Sequence, residues 1–405
     1  MRSDLENALQ LDRMVAHAAA LARPVASLTP ENAAVERARL VGCLERGELP
    51  VPAFGLARQR VDSAAYRAMD EARLLARECP FGDLYEARLA ELELDLAILD
   101  AWGDAKRVRP LSARRYGRGT ESVRTSEGEC PLSDVANALL ASLPPASHEP
   151  ASLAPTSGAR GERSVATFIR AAALGVGLDV EVRVEPRLAS LAATGERTIF
   201  LADRRFSVHE ARRLTAHEVF GHLVVAANAR AQPLRLLQIG LAGAFADQEG
   251  LALYLEEALG VMCSERLRTL AARVVATVCL YRGASFGETA RLLVREHGFS
   301  AAASISIAER TFRGGGVARD AGYLAGFLRV RSAIHAGTAT LDELRRGRVS
   351  LRALPALRDL EARGLAHPAC YRPSLALSRR LTFGGTRADT SPPSEAASLT
   401  MLELT

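Results

Sequence analysis

Two histidines five residues apart in a strongly apolar stretch constrain the fold of this chain more than any other feature. The hexad from His217 to His222 also contains Glu218, and its neighbours are mainly leucine, valine, phenylalanine and alanine. Burying two imidazoles and a carboxylate there without partners would destabilise the fold by several kcal/mol. A metal ion held between these side chains would remove that penalty. The hexad therefore predicts a buried helix that carries a metal site.

A second motif, QEGLA at residues 248–252, supplies another carboxylate in Glu249. A catalytic zinc site usually takes three protein ligands and leaves a fourth position open. His217, His222 and Glu249 are the candidate ligands for one zinc ion per chain. Glu218 is then free to act as a general base on a water molecule.

Each half of this site also has an ordinary structural interpretation. The two histidines alone would be hydrogen-bonded core residues, with Glu218 beside them by chance. Glu249 alone would be a first-turn acid that complements the dipole of a helix capped by Asp247. The metal hypothesis is favoured because both motifs occur together.

The five-residue spacing of the histidines makes a specific structural prediction. In a regular α-helix, side chains five positions apart lie about 140° apart around the axis, so they face different ways. A local π-helical turn brings them to one side, and such turns tend to occur at functional sites. Gly221, just before the second histidine, would ease the distortion. We therefore expect a π-bulge within residues 217–222.

Composition excludes several other classes of protein. The chain has 405 residues, 48% of them hydrophobic and 24% charged, which is typical of a globular protein. Its start lacks a signal-peptide core, and no apolar run reaches the roughly 20 residues of a membrane span. The six cysteines include no C-x-x-C pair and are expected to be reduced. We therefore expect a cytoplasmic protein without membrane contact.

The net charge of +5 is weak evidence for a nucleic-acid partner. Lys106 is the only lysine, so arginine supplies nearly all of the 52 basic residues. These arginines are dispersed among acids, which indicates a mixed-charge surface. We expect no nucleic acid among the partners.

The pattern along the chain suggests four regions. Residues 1–111 have helical apolar spacing. Residues 112–163 are rich in serine, proline, glycine and arginine and are interpreted as a flexible connector with one short helix near 132–143. Residues 164–375 are expected to form the catalytic domain, and residues 376–405 a polar tail.

The order of elements in the third region predicts the fold class. A helix is expected to about Leu174, strands at 178–184 and 198–202, and then a helix that opens at Ser207 and carries the hexad. Beyond Glu249 the pattern is helical to about Leu365, with a break at 314–316. This order favours a mostly helical α+β fold with a zincin-like metallopeptidase core, in which a small β-sheet lies next to the metal helix.

HEVFGH followed by QEGLA resembles the family of the microtubule-associated tyrosine carboxypeptidase and its bacterial relatives, the flavohemoglobin expression-modulating QEGLA-motif proteins. Those proteins carry an H-E-x-x-x-H helix and a downstream E-G-L-A segment. Residues 310–315, 319–320 and 323–326 are similar to the family's R-x-F-R-G-G, K-D and Y-L-x-G motifs, although Arg319 stands where a lysine is usual. The resemblance covers most of residues 10 to 370.

The resemblance implies a zinc carboxypeptidase that removes a C-terminal residue from a peptide or protein, with an aromatic, tyrosine-like residue as the candidate. His217, His222 and Glu249 correspond to zinc ligands and Glu218 to the catalytic glutamate. Within this hypothesis, zinc and Tyr323 stabilise the oxyanion. The substrate carboxylate pairs with Arg310 or Arg313, and Arg319 alters its recognition.

Two other functions stay open on the sequence. H-E-x-x-G-H also occurs in dipeptidyl-peptidase III-type enzymes, so the same zinc site would serve an aminopeptidase or dipeptidyl-peptidase. A zinc-binding regulatory protein without turnover is the other alternative. The presence of Glu218 argues against it, because a structural site needs no water-activating base.

Overall fold

The computed structural model describes residues 2–21, 30–56, 61–125, 128–145, 157–158, 164–188 and 190–383. Helices dominate, and two small sheets complete an α+β architecture, as expected. The α-helices are α1 Arg2–Leu21, α2 Ala33–Glu45, α3 Ser63–Ala76, α4 Gly82–Asp100, α5 Ala105–Tyr116, α6 Leu132–Ser142, α7 Val165–Gly175, α8 Val208–Thr215, α9 Val224–Arg230, α10 Leu236–Ile239, α11 Ala244–Ala258, α12 Ser264–Tyr281, α13 Phe286–Arg295, α14 Ala301–Phe312, α15 Ala321–His335, α16 Leu341–Leu344, α17 Leu354–Ala362 and α18 Leu375–Thr382. The strands are β1 Ser122–Thr125, β2 Gly128–Pro131, β3 Glu181–Glu185, β4 Ala192–Thr194 and β5 Thr198–Ala202.

The three-stranded sheet has the order β3-β5-β4. β3 runs parallel to β5, and β4 pairs antiparallel with it. Alternation in β5 buries Ile199 and Leu201 while their neighbours are more exposed, which is the period of a half-buried strand. The strand predicted at 198–202 is confirmed, and the strand predicted at 178–184 is confirmed for 181–184 but not for 178–180, whereas the three-residue β4 was missed.

The helix that carries the hexad begins where the sequence predicted. The Ser207 hydroxyl accepts from the Glu210 amide, and the Glu210 carboxylate accepts from the Ser207 amide, which is a complete capping box. A continuous helical segment then runs through α8, the hexad and α9.

Close backbone contacts fix α11 against its neighbours. A Cβ added to Gly221 would lie 2.6 Å from the Cβ of Ala252, so the hexad and α11 touch at this point. On the next face of α11, a Cβ on Gly250 would lie 2.3 Å from the carbonyl oxygen of Gly326 in α15. Glycine is required at these crossings because neither gap has room for a side chain.

Part of the predicted connector forms regular structure. β1 and β2 make a hairpin that the sequence analysis missed, and α6 covers 132–142. The Arg268 side chain on α12 donates to the carbonyls of Leu140 and Leu143, which ties the end of α6 to α12. Most of 146–163 lies outside the described residues, as does the tail beyond 383. The division of the chain into domains stays a prediction.

The hydrophobic core extends through most of the described elements, and a smaller cluster joins α2, α13 and α14. The break expected at 314–316 is confirmed by a 3₁₀ turn between α14 and α15. Among the described residues, no helix combines the length and apolar character that crossing a bilayer requires.

Candidate metal and active site

The hexad adopts the backbone distortion that its spacing predicted. Residues Ala216–Leu223 form a π-helical segment between α8 and α9. The His217 and His222 rings meet edge to face, with centroids 4.8 Å apart. The inserted residue therefore puts both imidazoles on one side of the helix, and the predicted π-bulge is confirmed.

Glu249 completes a cluster of three donor atoms. Its Oε2 atom lies 3.5 Å from Nε2 of His217 and 3.7 Å from Nε2 of His222, and the two Nε2 atoms are 3.2 Å apart. All three side chains are at least three-quarters buried. Three donors thus converge on one point from two helices that are held together by the Gly221 contact.

These separations fit a metal ion. Tetrahedral zinc with bonds of about 2.0–2.2 Å requires donor atoms about 3.3–3.5 Å apart. Two ordinary core histidines would direct their Nε2 atoms to separate partners, whereas these atoms face each other and a carboxylate. His217, His222 and Glu249 could therefore hold one ion.

The helix-capping interpretation of Glu249 is wrong. α11 begins at Ala244 after Gly243, so Asp247 is inside the helix and does not cap it. Asp247 instead accepts from the Arg329 side chain and the Leu351 amide. Glu249 lies beyond the first turn, where the helix dipole gives little stabilisation. Its position is explained by the donor cluster.

Glu218 is buried, lines the same cavity as the donor cluster and is contacted by the sheet. Thr194, the last residue of β4, has its hydroxyl 2.7 Å from Oε2 of Glu218 and 3.3 Å from the Glu218 carbonyl. A hydroxyl donating to one carboxylate oxygen fixes the orientation of the group and leaves the other oxygen for a second partner.

A further carboxylate, Glu256, contacts the far side of His217. Oε1 of Glu256 lies 2.8 Å from Nδ1 of His217 and the Glu256 side chain is fully buried. Arg266 contacts both oxygens at 3.2 Å, and Arg213 lies 3.7 Å away. Burial opposes its ionisation, but Arg266, His217 and Arg213 lower the pKa of Glu256 to about 2.

The carboxylates also dominate the titration of the histidine between them. Burial by itself would lower the pKa of His217, but hydrogen bonding to Glu249 and Glu256 raises that pKa to about 9. Burial would raise the pKa of Glu249, and the two histidines instead hold it well below its usual range. The carboxylates therefore favour a positive charge within the cluster of His217, His222 and Glu249.

The donor cluster opens into a cavity of about 1570 Å³. Glu218 and the three donors line it together with the edge strand β4, Tyr323 and several arginines. Arginines outnumber carboxylates in the lining, so an anionic group is favoured there.

Two of the three predicted substrate-binding arginines already have carboxylate partners. Arg310 binds Asp320 through two nitrogens, one contact being 3.1 Å, and Arg273 lies 3.6 Å from the same carboxylate. Arg313 lies 3.3 Å from Glu309, which also binds Arg37. The side chains of both pairs, Arg310 with Asp320 and Arg313 with Glu309, are largely buried.

Arg319 is in a different situation. Its guanidinium lies over the ring of Phe245, 5.4 Å from the centroid, and no carboxylate of the described residues is within 4 Å of it. Tyr323 also packs edge to face against Phe245, with centroids 5.9 Å apart. Burial, and then the nearby Glu249 carboxylate, raise the pKa of Tyr323 to about 12, so its hydroxyl keeps its proton.

Thr194 and Glu256 were missed by the sequence analysis, for different reasons. Glu256 had a readable signal, because it follows Glu249 by seven residues and so lies on the same helical face. Thr194 had none, since only the packing of β4 on the hexad brings it to Glu218. Gln248, by contrast, is structural: its amide donates to the Leu344 and Val349 carbonyls.

Fold and site together define a mostly helical α+β protein with a cavity that contains a possible three-donor metal site. A sequence profile of the microtubule-associated tyrosine carboxypeptidase family matches residues 50–382. Because the match covers most of the chain, the protein belongs to this family, and the resemblance seen in the motifs is confirmed. A comparison with curated proteins gives no significant match.

Proposed function

We propose that this protein is a zinc-dependent carboxypeptidase that acts on the C-terminus of a peptide or protein. The convergence of His217, His222 and Glu249 next to Glu218 in one cavity is the observation that carries the proposal. Membership of a carboxypeptidase family supports the same reaction. His217, His222 and Glu249 would hold the zinc ion, which when bound lowers the pKa of a water molecule and polarises a carbonyl.

Glu218 is the proposed general base. Its carboxylate takes the proton of the attacking water and delivers it to the leaving amine nitrogen, while Thr194 keeps the carboxylate in one orientation. Tyr323 stays protonated and donates a hydrogen bond to the oxygen that becomes negative.

Arg319 is the best candidate for the substrate's terminal carboxylate. The guanidinium groups of Arg310 and Arg313 form ion pairs with Asp320 and Glu309. Both arginines still add positive potential to the cavity. Arg319 lines the same cavity with its guanidinium over the Phe245 ring, and a guanidinium can bind a carboxylate through two nitrogens.

The sheet supports a zincin-like arrangement of substrate. β4 is an edge strand among the described residues, and all three of its residues line the cavity. An extended peptide added along β4 would pass Glu218 and the donor cluster. The terminal residue would then lie toward Arg319, Phe245 and Tyr323, an environment suited to an aromatic side chain.

The test is metal analysis combined with hydrolysis of matched peptides that have a free or amidated C-terminus and a free or acetylated N-terminus. We expect one zinc per chain and release of the last residue from free-acid peptides alone, abolished by a chelator and restored by zinc. Release from the N-terminus would favour the aminopeptidase alternative. Bound zinc without hydrolysis of any peptide would favour a regulatory protein, and absence of metal would overturn the proposal.

A further inference from the structure

His217 has a carboxylate on each of its ring nitrogens, and both come from α11. Nε2 lies 3.5 Å from Glu249, and Nδ1 lies 2.8 Å from Glu256. Seven residues make nearly two helical turns, so Glu249 and Glu256 lie about 20° apart around the helix axis. The imidazole therefore spans two turns of α11, with one edge toward the donor cluster and the other toward the protein interior.

The interior carboxylate is set up to accept hydrogen bonds. Glu256 is fully buried, and an unpaired charge in that position would destabilise the fold strongly. Arg266 contacts both of its oxygens, and Arg213 lies close to one of them. Both oxygens of Glu256 accept from Arg266, and Oε1 also lies 2.8 Å from Nδ1 of His217, so this geometry makes Glu256 the acceptor and Nδ1 the donor.

We propose that Glu256 is a positioning residue that fixes the tautomer and the ring orientation of His217. By accepting the Nδ1 proton it leaves Nε2, the nitrogen that faces Glu249 and His222, as the atom that would bind a metal. Metal-bound histidines generally donate their second nitrogen to such a partner. This inference rests on the proposed metal site, and it adds a residue outside the three donors on which the affinity of that site depends.

A purely structural role for Glu256 makes a different prediction. If Glu256 served only to neutralise Arg213 and Arg266, its replacement would lower the stability of the metal-free protein and leave the affinity for metal unchanged. If it positions His217, the affinity for metal falls, and the geometry around the metal changes with it.

The experiment compares Glu256→Gln with Glu257→Gln in the full chain. Glu257 is the next residue of α11 and also has an arginine partner, Arg331 at 3.2 Å, which makes the pair a matched control. Zinc affinity is measured by competition with a chromophoric chelator, and site geometry by the visible spectrum of the cobalt-substituted protein. We expect Glu256→Gln to bind zinc about 10- to 100-fold more weakly and to shift the cobalt bands. Glu257→Gln should match wild type in both.

Glu256→Asp provides the second variant in case Glu256→Gln does not fold. It keeps the buried negative charge for Arg213 and Arg266 but withdraws the carboxylate from Nδ1. Weaker zinc binding with a metal-free melting temperature near that of wild type would support positioning. Wild-type zinc affinity and cobalt spectrum in a folded Glu256 variant would overturn it.

Failure of the inference can be told from failure of the proposed function. If wild type binds zinc tightly but hydrolyses nothing, the affinity comparison still decides the role of Glu256. If wild type binds no zinc, the proposed function fails and the positioning role falls with it.

Discussion

Two clusters of charged side chains lie at the same cavity, and they differ in how their members are paired. Around Arg310 and Arg313, the carboxylates of Asp320 and Glu309 each bind arginine side chains in contacts that are largely buried. Around Glu249, the donor atoms of His217, His222 and Glu249 face one another. The first cluster consists of ion pairs, whereas the second brings together three groups that could hold a metal ion.

This difference in pairing distinguishes residues that stabilise the fold from residues that are candidates for binding a ligand. Each charge of a buried ion pair loses most of its hydration and is stabilised by the opposite charge instead. Breaking the pair therefore costs much free energy, and its groups have few hydrogen-bonding positions left for a ligand. The donor atoms of His217, His222 and Glu249 instead converge on one another and could hold an ion. The same criterion distinguishes Arg319 from Arg310 and Arg313 within the arginine cluster.

The largest effect is expected for Glu218→Gln. Loss of the general base should lower kcat/KM by about 10²–10⁴, while metal content stays at the wild-type value, because the donors are untouched. Glu196→Gln is the control, since Glu196 lines the same cavity and is exposed. Peptidase activity retained in Glu218→Gln would remove Glu218 from the mechanism.

Replacing Arg310 and Arg319 separately tests the distinction between paired and unpaired arginines. Arg310→Gln removes the arginine that hydrogen-bonds to buried Asp320 and leaves Arg273 at 3.6 Å, and it should lower the free energy of unfolding by about 3–5 kcal/mol. Arg319→Gln should fold normally and raise KM for free-acid peptides. The rise should correspond to a loss of about 1.5–3 kcal/mol in binding free energy.

Urea unfolding and peptide kinetics on both variants make this measurement. Arg319→Lys should recover part of the binding, because the charge returns without the bidentate geometry. The comparison between the arginines would fail if Arg310→Gln were stable with a raised KM while Arg319→Gln behaved as wild type.

Gly221→Ala tests the contact that brings the two motifs together. The added methyl would lie 2.6 Å from Ala252, so α11 must move away from the hexad, with an expected loss of about 1–3 kcal/mol in unfolding free energy. Weaker zinc binding should accompany it. Gly42→Ala in α2 meets only the flexible end of Arg46, and should be neutral or stabilising by up to about 1 kcal/mol. Equal stability of the two variants would contradict the close approach.

The smallest effect is a dependence of stability on acid pH through Asp320. Burial would raise the pKa of Asp320, but Arg310 and Arg273 hold it well below its usual range. A pKa lower in the folded than in the unfolded chain gives stability that is present above about pH 4 and is lost as the pH falls below it. The slope of unfolding free energy against pH in this range should be shallower for Asp320→Asn. Identical slopes would show that Asp320 is not the responsible group.

Much of the site was predictable because its information is local. The spacing of His217 and His222 demanded a π-helical turn, since five residues of regular helix would separate the rings by about 140°. The capping box at Ser207 and the alternation in β5 were likewise readable from neighbouring residues. The short strands β1, β2 and β4 were missed, because three or four residues carry too little periodicity to be recognised.

The sequence by itself determined the candidate metal donors, the candidate base and the helical distortion that aligns the two histidines. The tertiary structure decided which partners these groups have. Thr194 reaches Glu218, Glu256 reaches His217, and Asp320 occupies Arg310 only after β4, α11 and α15 pack around the cavity. The physical reason is that helical and strand periodicity depends on nearest neighbours. Hydrogen bonds and ion pairs depend instead on distances of a few ångströms between elements far apart in the chain.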